Sequence, residues 1–121
     1  MRTRPDILTR IDLPGGTVTV DEYGYLTDPS LWSQDFAEHT ASLEGLTLGD
    51  EHYEIIEFMR KYQEEHGIAA DARFVLKFLS DRDGLDKSGA KAALFRLFPY
   101  GYVKQACKIS GMKQPRAWST G

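Results

Sequence analysis

The stretch Leu97-Phe-Pro-Tyr-Gly-Tyr-Val-Lys-Gln-Ala-Cys107-Lys-Ile-Ser-Gly-Met112 carries the most information in this chain. It holds the only cysteine, in a short basic segment that is compatible with a helix. Lys104 lies one helical turn before Cys107, Lys108 follows it directly, and no acidic residue occurs from residue 87 to residue 121. A thiol reacts as its thiolate, and nearby cations stabilise that charge. The pattern therefore suits sulfur chemistry at Cys107.

The same cysteine also fits a purely structural role. Free cysteine is among the most buried residue types, and on a helix Cys107 would share a stripe with Val103, Ala106 and Ser110. Its place near the end of that helix puts the thiol in the negative potential of the helix dipole, which opposes ionisation. The residues alone favour a core cysteine over a reactive one.

Two motifs in this stretch have the forms LFP-x-G and KQAC-K-I-x-G, and a proline follows them. The motif residues are Leu97, Phe98, Pro99, Gly101, Lys104, Gln105, Ala106, Cys107, Lys108, Ile109, Gly111 and Pro115. On these residues the chain resembles the DsrC/TusE sulfur-relay family, which includes the gamma subunit associated with dissimilatory sulfite reductase. The resemblance extends upstream through residues 17–26, Trp32, His52 and Arg73, and it covers nearly the whole chain.

The chain departs from the family pattern at one position. Sulfur-carrying members have a penultimate cysteine eleven positions after the one that matches Cys107, and here that position is Trp118. An internal disulfide or trisulfide is therefore impossible in this chain. The resemblance implies a sulfur-relay or sulfur-metabolism protein in which Cys107 is the only thiol available to carry a persulfide or to sense redox state.

The resemblance also implies a sulfurtransferase-like carrier or sensor rather than a turnover enzyme, and no cofactor. A lone cysteine needs an external thiol to pass its sulfur on. The expected partners are sulfurtransferases or sulfur-oxidising or sulfur-reducing enzyme complexes, docked through the C-terminal arm. Beside Cys107, the expected binding residues are Arg73, Lys104, Lys108 and Trp118. Arg73 would hold the arm, or the anionic sulfur substituent, beside the thiol.

The composition is that of one globular domain. The chain has 121 residues, of which 41% are hydrophobic and 27% are charged, so it can form one modest core. No apolar run approaches the roughly 20 residues of a membrane helix, and residues 1–6 lack the apolar stretch of a signal peptide. Because a single cysteine cannot cross-link the fold, we expect a cytoplasmic protein without membrane contact.

Charge is distributed unevenly along the chain. The first 86 residues hold 8 Lys and Arg against 18 Asp and Glu, whereas the last 35 hold 7 Lys and Arg and no acid. The basic part either attracts an anionic partner or packs against the acidic part. Lys87 and Lys91 lie four apart, a like-charge spacing that costs a helix roughly 0.2–0.5 kcal/mol. They belong either to a solvated face or to a site for an anion.

The patterns predict a mainly α domain of residues 1–121. A small N-terminal β-hairpin is expected at about residues 17–27, because two short alternating segments flank a loop that contains glycine. An orthogonal helical bundle follows at about residues 30–111, and a flexible C-terminal arm at residues 112–121. Trp118 in that arm is either a docking anchor for a partner or packs back onto its own domain.

Five helices are expected in the bundle from their caps and apolar stripes. They begin near Asp28, at Thr47 or Asp50, at Asp71, at Asp86 or Ser88, and near Tyr102. The inward positions are Trp32, Phe36, His39, Leu43, Ile55, Ile56, Met59, Tyr62, Phe74, Val75, Phe78, Leu79, Leu94, Leu97 and Phe98. Gly111 is expected to end the fifth helix in a left-handed conformation.

The third and fourth helices are joined by Gly84-Leu85-Asp86 and suggest a helix-turn-helix. The alternative function is therefore a non-catalytic regulatory module of sulfur metabolism that binds protein partners or DNA. A net charge of −3 and the lack of a face rich in Arg, Asn and Gln disfavour DNA. The histidines are scattered and no Cys-x-x-Cys pair occurs, so no metal site is predicted.

Overall fold

The computed structural model describes residues 8–113, which form a two-stranded antiparallel sheet and a helical bundle. The elements are β1 (Thr9–Leu13), β2 (Gly16–Val20), a 3-10 turn (Pro29–Leu31), α1 (Gln34–Leu43), α2 (Asp50–His66), α3 (Ala72–Asp83), α4 (Lys87–Leu97) and a π-helical segment (Tyr102–Cys107). The predicted fold class, mainly α with a small N-terminal hairpin, is confirmed. No helix among the described residues has the length and apolar character needed to cross a membrane.

The hairpin lies one strand earlier in the chain than the sequence pattern predicted. The predicted first strand forms, as part of β2, but its partner is β1. Residues 25–27 contribute only an isolated bridge, from Leu26 to Val20. The alternation of β1 is weak because polar residues surround two apolar ones, Ile11 and Leu13, which pack against a small cluster beneath the hairpin.

Side-chain caps set the helix starts largely as predicted. Asp71 and Asp86 accept hydrogen bonds from the first-turn N–H groups of α3 and α4. The second helix begins at Asp50, but its cap position is Gly49 and neither Thr47 nor Asp50, the two predicted caps. The first begins later than expected, after Ser33 as cap, because residues 29–31 form a separate 3-10 turn.

The start of α1 changes which of its residues face the core. Phe36 is fully buried as predicted, together with Ala37 and Ala41. Two predicted core residues of this helix are wrong: Leu43 is 72% exposed, and His39 is half-buried. Phe74 on α3, also predicted to face inward, is 43% exposed. The buried side of α1, which includes Thr40 and Ala41, is rotated away from the predicted stripe, so that only Phe36 belongs to both.

The C-terminal segment stays packed in the core as far as Met112. Ala106 donates its N–H to the carbonyl of Gly101 at 3.2 Å, five residues back, which is the π-helical pattern. Gly111 then adopts φ 79°, as predicted, and the N–H of Met112 bonds the carbonyl of Cys107 at 3.0 Å. This is the Schellman arrangement of a helix end. Met112, the first residue of the expected arm, is buried, and residues 114–121 lie outside the described residues.

Two side chains from distant elements hold this helix end, and we call them the terminal clamp. Trp32 donates its indole N–H to the carbonyl of Ile109 at 2.9 Å. The guanidinium of Arg60 donates to the carbonyl of Ser110 at 3.0 Å and to that of Pro29 at 2.8 Å. It also lies 4.8 Å from the centre of the Trp32 ring. The clamp supplies the donors that a helix end lacks.

Replacing Gly111 by alanine should destabilise the fold strongly. A Cβ at this position would lie 2.5 Å from Cδ1 of Trp32, on a backbone with φ +79°. Left-handed strain and overpacking together predict a loss of roughly 2–5 kcal/mol in the free energy of unfolding. Urea denaturation measures it.

Gly67→Ala is the matched control for this substitution. Gly67 also has a left-handed φ, of +76°, but no heavy atom lies within 4 Å of an added Cβ. We expect it to lose only the strain, about 1–2 kcal/mol. Equal losses at the two positions would show that the contact with Trp32 does not matter.

Candidate functional site

The thiol of Cys107 is enclosed by the core. The residue is 0% exposed, and the hydroxyl of Tyr102 lies in hydrogen-bond contact with the thiol. Tyr102 itself donates to the carbonyl of Ala70, which joins the segment to the start of α3. Burial raises the pKa of the Cys107 thiol to about 12, although the contact with Tyr102 opposes part of that rise. The thiol is therefore protonated at neutral pH, and in this conformation it is neither accessible nor nucleophilic.

The two neighbouring lysines do not activate the thiol. Lys104 is exposed, and the amino group of Lys108 is bound to the carboxylate of Glu44 at 2.8 Å. The pKa of Cys107 is set by burial and by Tyr102, the two causes that act on it. Although Lys104 and Lys108 are near Cys107 in sequence, their ammonium groups do not stabilise its thiolate.

The remaining expected site residues lie elsewhere. The side chain of Arg73 is 81% exposed and pairs with Asp71 at 3.3 Å. No contact of the described residues joins Arg73 to Cys107. Trp118 lies outside the described residues. The four expected residues that the structure describes are thus not gathered into one site around the thiol.

Glu44, at the end of α1, is a residue that the sequence did not single out. One of its carboxylate oxygens accepts from the Gln105 amide and the other from the Lys108 amino group, both at 2.8 Å. Lys108 and Glu44 are only 18% and 15% exposed, so water screens the pair weakly. The carboxylate therefore ties the Cys107 segment to α1, and the only sequence signal was that Gln105 and Lys108 share one side of a helix.

The aromatic residues of the hairpin region support the same segment from the other side. Tyr25 donates its hydroxyl to the carbonyl of Val103 at 2.8 Å, and burial raises the pKa of that hydroxyl. The amino group of Lys108 lies 5.6 Å from the centre of the Tyr25 ring. An open cleft of about 430 Å³ passes beside Lys108 and Glu44, and Cys107 does not line it.

His52 supports the stretch that precedes the segment. Its Nδ1 accepts the N–H of Gly49 at 3.0 Å, so the proton resides on Nε2, which donates to the carbonyl of Leu97 at 2.8 Å. The edge of the ring packs on Phe98, with 5.3 Å between ring centres. His52, like Trp32, thus serves to position the C-terminal motif. Among residues 8–113, no cluster of His, Cys, Asp and Glu could hold a metal ion.

The fold and the segment define a small mainly α domain built around a buried C-terminal cysteine motif. The family model described as DsrC like protein matches residues 12–117, so the chain belongs to the DsrC-like family. Sulfurtransferase TusE of Pectobacterium atrosepticum is 33% identical over 105 residues, which cover 87% of this chain and 95% of that protein. Sulfurtransferase TusE of Escherichia coli is 36% identical over 101 residues, covering 84% and 92%.

Solved structures of DsrC proteins share this architecture. The solution structure of Allochromatium vinosum DsrC has a TM-score of 0.80 at 34% identity, over 93% of this chain and all of that one. The oxidised gamma subunit of the dissimilatory sulfite reductase of Archaeoglobus fulgidus has a TM-score of 0.78 at 26% identity, over 92% and 100%. The predicted family is confirmed by sequence and by fold.

The buried thiol predicts a specific alkaline loss of stability. Because burial raises its pKa from 9.0 to about 12, the native state holds this proton more tightly than the unfolded chain does. Stability is therefore full below about pH 9 and falls as the pH rises towards 12, by up to about 1.4 kcal/mol per pH unit. Urea denaturation at about pH 8 and about pH 10 measures this dependence.

The variant Cys107→Ala isolates the contribution of the thiol. Between these two pH values we expect the wild type to lose roughly 1 kcal/mol more of its free energy of unfolding than the variant does. Tyrosines with raised pKa values, such as Tyr25, remain in both proteins. An identical pH dependence in the two proteins would contradict the assignment of a buried, protonated thiol.

Proposed function

We propose that this chain is a sulfur-relay protein whose only thiol is buried in the resting fold. The thiol accepts sulfur when the C-terminal segment, residues 102–112, moves out of the core. Family membership supports the sulfur-relay role, since relatives are named sulfurtransferase TusE and the solved structures include the gamma subunit of a dissimilatory sulfite reductase. The observation that carries the gating is the complete burial of Cys107 with a pKa raised to about 12.

The sulfur-accepting step needs both access and a lost proton. Once the segment opens, water lowers the cost of ionising Cys107, and a base in solution removes the thiol proton. The thiolate attacks the outer sulfur of a donor persulfide, forming a new sulfur–sulfur bond. The bond within the donor breaks, and the donor leaves as its own thiolate. No electrons are gained or lost overall, so neither a cofactor nor an oxidant takes part.

The segment is closed by apolar packing in the core, to which Ala106, Ile109 and Met112 belong, and by polar contacts at its surface. Glu44 holds Gln105 and Lys108, and the hydroxyl of Tyr25 holds the carbonyl of Val103. The turn that holds Cys107, Tyr102–Cys107, is π-helical. This geometry is rare in proteins overall, but where it occurs it is often at a functional site. In this proposal a partner competes for these polar groups and, by doing so, lowers the cost of withdrawing the segment from the core.

The proposal assigns the chain to transfer between proteins. A persulfide on Cys107 has no second cysteine to expel it, so an external thiol must accept the sulfur. The proposed partners are sulfurtransferases or sulfite reductase complexes, and docking through the C-terminal arm with Trp118 is part of the proposal. Arg73 and Lys104, both exposed, are proposed contacts of that docking. The predicted cytoplasmic location is kept.

The regulatory alternative gains no support. The helix-turn-helix portion forms, since α3 and α4 pack together across the predicted turn. None of the relatives and structures described above is named as a DNA-binding protein. The sulfur-relay function is therefore the one that the fold and the family favour.

A persulfide donor tests sulfur acceptance directly. We expect the reduced protein, incubated with glutathione persulfide, to gain the mass of one sulfur slowly, and dithiothreitol to remove it. The rate should stop rising at high donor concentration, because opening of the segment then limits the reaction. Intact-mass spectrometry measures this, with Cys107→Ser as the variant that should gain nothing. A sulfur gained only in denaturant would make Cys107 a core residue and end the proposal.

Glu44 tests the gate separately from the chemistry. Removing its carboxylate in Glu44→Ala leaves Lys108 and Gln105 without their partner, which should favour the open segment. We expect the rate of Cys107 alkylation by iodoacetamide in the folded protein to rise by about tenfold, equivalent to about 1.4 kcal/mol. Glu57→Ala removes an exposed carboxylate of α2 and should leave the rate unchanged. Equal rates in the two variants would contradict the gate.

A further inference from the structure

Three residues of α4 form an exposed line that nothing in the described fold uses. Lys87, Lys91 and Phe95 follow one another at four-residue spacing, so their side chains lie along one side of the helix. The buried residues of α4, which include Ala90 and Leu94, lie on the adjoining side of the helix. Both lysines are exposed and Phe95 is 41% exposed. We call this line the α4 face.

The lysines of the α4 face have no acidic partner among residues 8–113. Some exposed cations of the domain do have one: Lys77 pairs with Asp81 at 3.0 Å, and Arg96 with Glu51 at 3.2 Å. Lys87 and Lys91, unlike Arg96 on the same helix, are therefore not balanced by a carboxylate of the described residues. Two like charges one turn apart repel each other, and an external anion would remove that repulsion.

Aromatic surface accompanies the charge. Phe95 lies one turn beyond Lys91, and Tyr100, just past the end of α4, is 59% exposed. Protein interfaces combine a desolvated centre that is rich in aromatic residues with a polar rim. Phe95 beside Lys87 and Lys91 has that composition on a small scale.

We propose that the α4 face docks an acidic protein surface, whose carboxylates pair with Lys87 and Lys91 and whose apolar side chain covers Phe95. The match rests on charge complementarity with aromatic burial. It goes beyond the sulfur-relay function, because it places a docking surface on the bundle itself and holds whether or not Cys107 carries sulfur.

The same helix is poorly suited to nucleic acid. In a helix-turn-helix, the N-terminal residues of the second helix approach the bases. Here that end is capped by Asp86, and Asp81 and Asp83 lie in the last turn of α3 just before it. These carboxylates repel phosphate, and the nearby Arg82 is bound to Asp83 at 2.7 Å. Lys87 begins α4 beside Asp86, but Lys91 and Phe95 lie one and two helical turns further on, where an acidic protein can contact them away from these carboxylates.

A synthetic acidic peptide provides a defined probe. Fluorescein-labelled acetyl-(Glu-Glu-Leu)₄-amide is titrated with the full chain and followed by anisotropy, and the Lys-Lys-Leu counterpart serves as the charge control. We expect the acidic peptide to bind in a salt-dependent way, and Lys91→Glu to weaken it by about tenfold. Lys61→Glu changes the charge equally, at an exposed position on α2, and should weaken binding by no more than about twofold.

Further variants separate the possible results. Phe95→Ser should weaken the peptide several-fold at high salt, where charge is screened, and circular dichroism checks that each variant is folded. Cys107→Ser should bind as the wild type does, which separates this proposal from sulfur transfer. Equal losses in Lys91→Glu and Lys61→Glu, or no binding, would overturn it. Tighter binding of a DNA duplex by the same face, or self-association that Lys91→Glu abolishes, would overturn it in favour of those occupants.

Discussion

The rest of the structure depends on the hydrogen bonds that the carbonyl groups of Ile109 and Ser110 accept. The C-terminal helix ends at these residues, so the helix itself offers these carbonyls no N–H partner. Trp32 and Arg60 supply the missing donors from the 3-10 region and from α2. With this end fixed, the preceding turn is fixed too, and Cys107 is sealed against the core. The conformation of this helix end thus determines whether the thiol of Cys107 is available to react or is buried in the core.

The electrostatic environment of Cys107 depends on the ion pair that Lys108 makes. Lys108 is attracted to Glu44 in a weakly screened position, which leaves the thiol with burial as its main influence. A cation one residue away in sequence therefore stabilises the closed segment instead of the thiolate. Opening the segment would reverse both effects at once, exposing the sulfur and freeing the ammonium group.

Local signals in the sequence were sufficient for most of the fold. The caps Asp71 and Asp86 and the left-handed Gly111 were predictable because each depends on its own neighbours. The role of Glu44 was not, since it depends on residues more than sixty positions away. The same holds for β1, whose polar sequence becomes a strand only because β2 pairs with it. The family motif located Cys107, whereas its burial is a property of tertiary packing.

The contacts that complete the domain also determine when it can fold. Trp32 bonds Ile109 across 77 positions, Tyr25 bonds Val103 across 78, and Glu44 bonds Lys108 across 64. Contacts that are so distant along the chain form late and slow folding. On the ribosome, Tyr25, Trp32 and Glu44 must wait for residues 102–111 to be synthesised before their partners exist. The main core therefore stays incomplete during synthesis until the residues that fill its last part, among them Tyr102, Ile109 and Met112, have emerged.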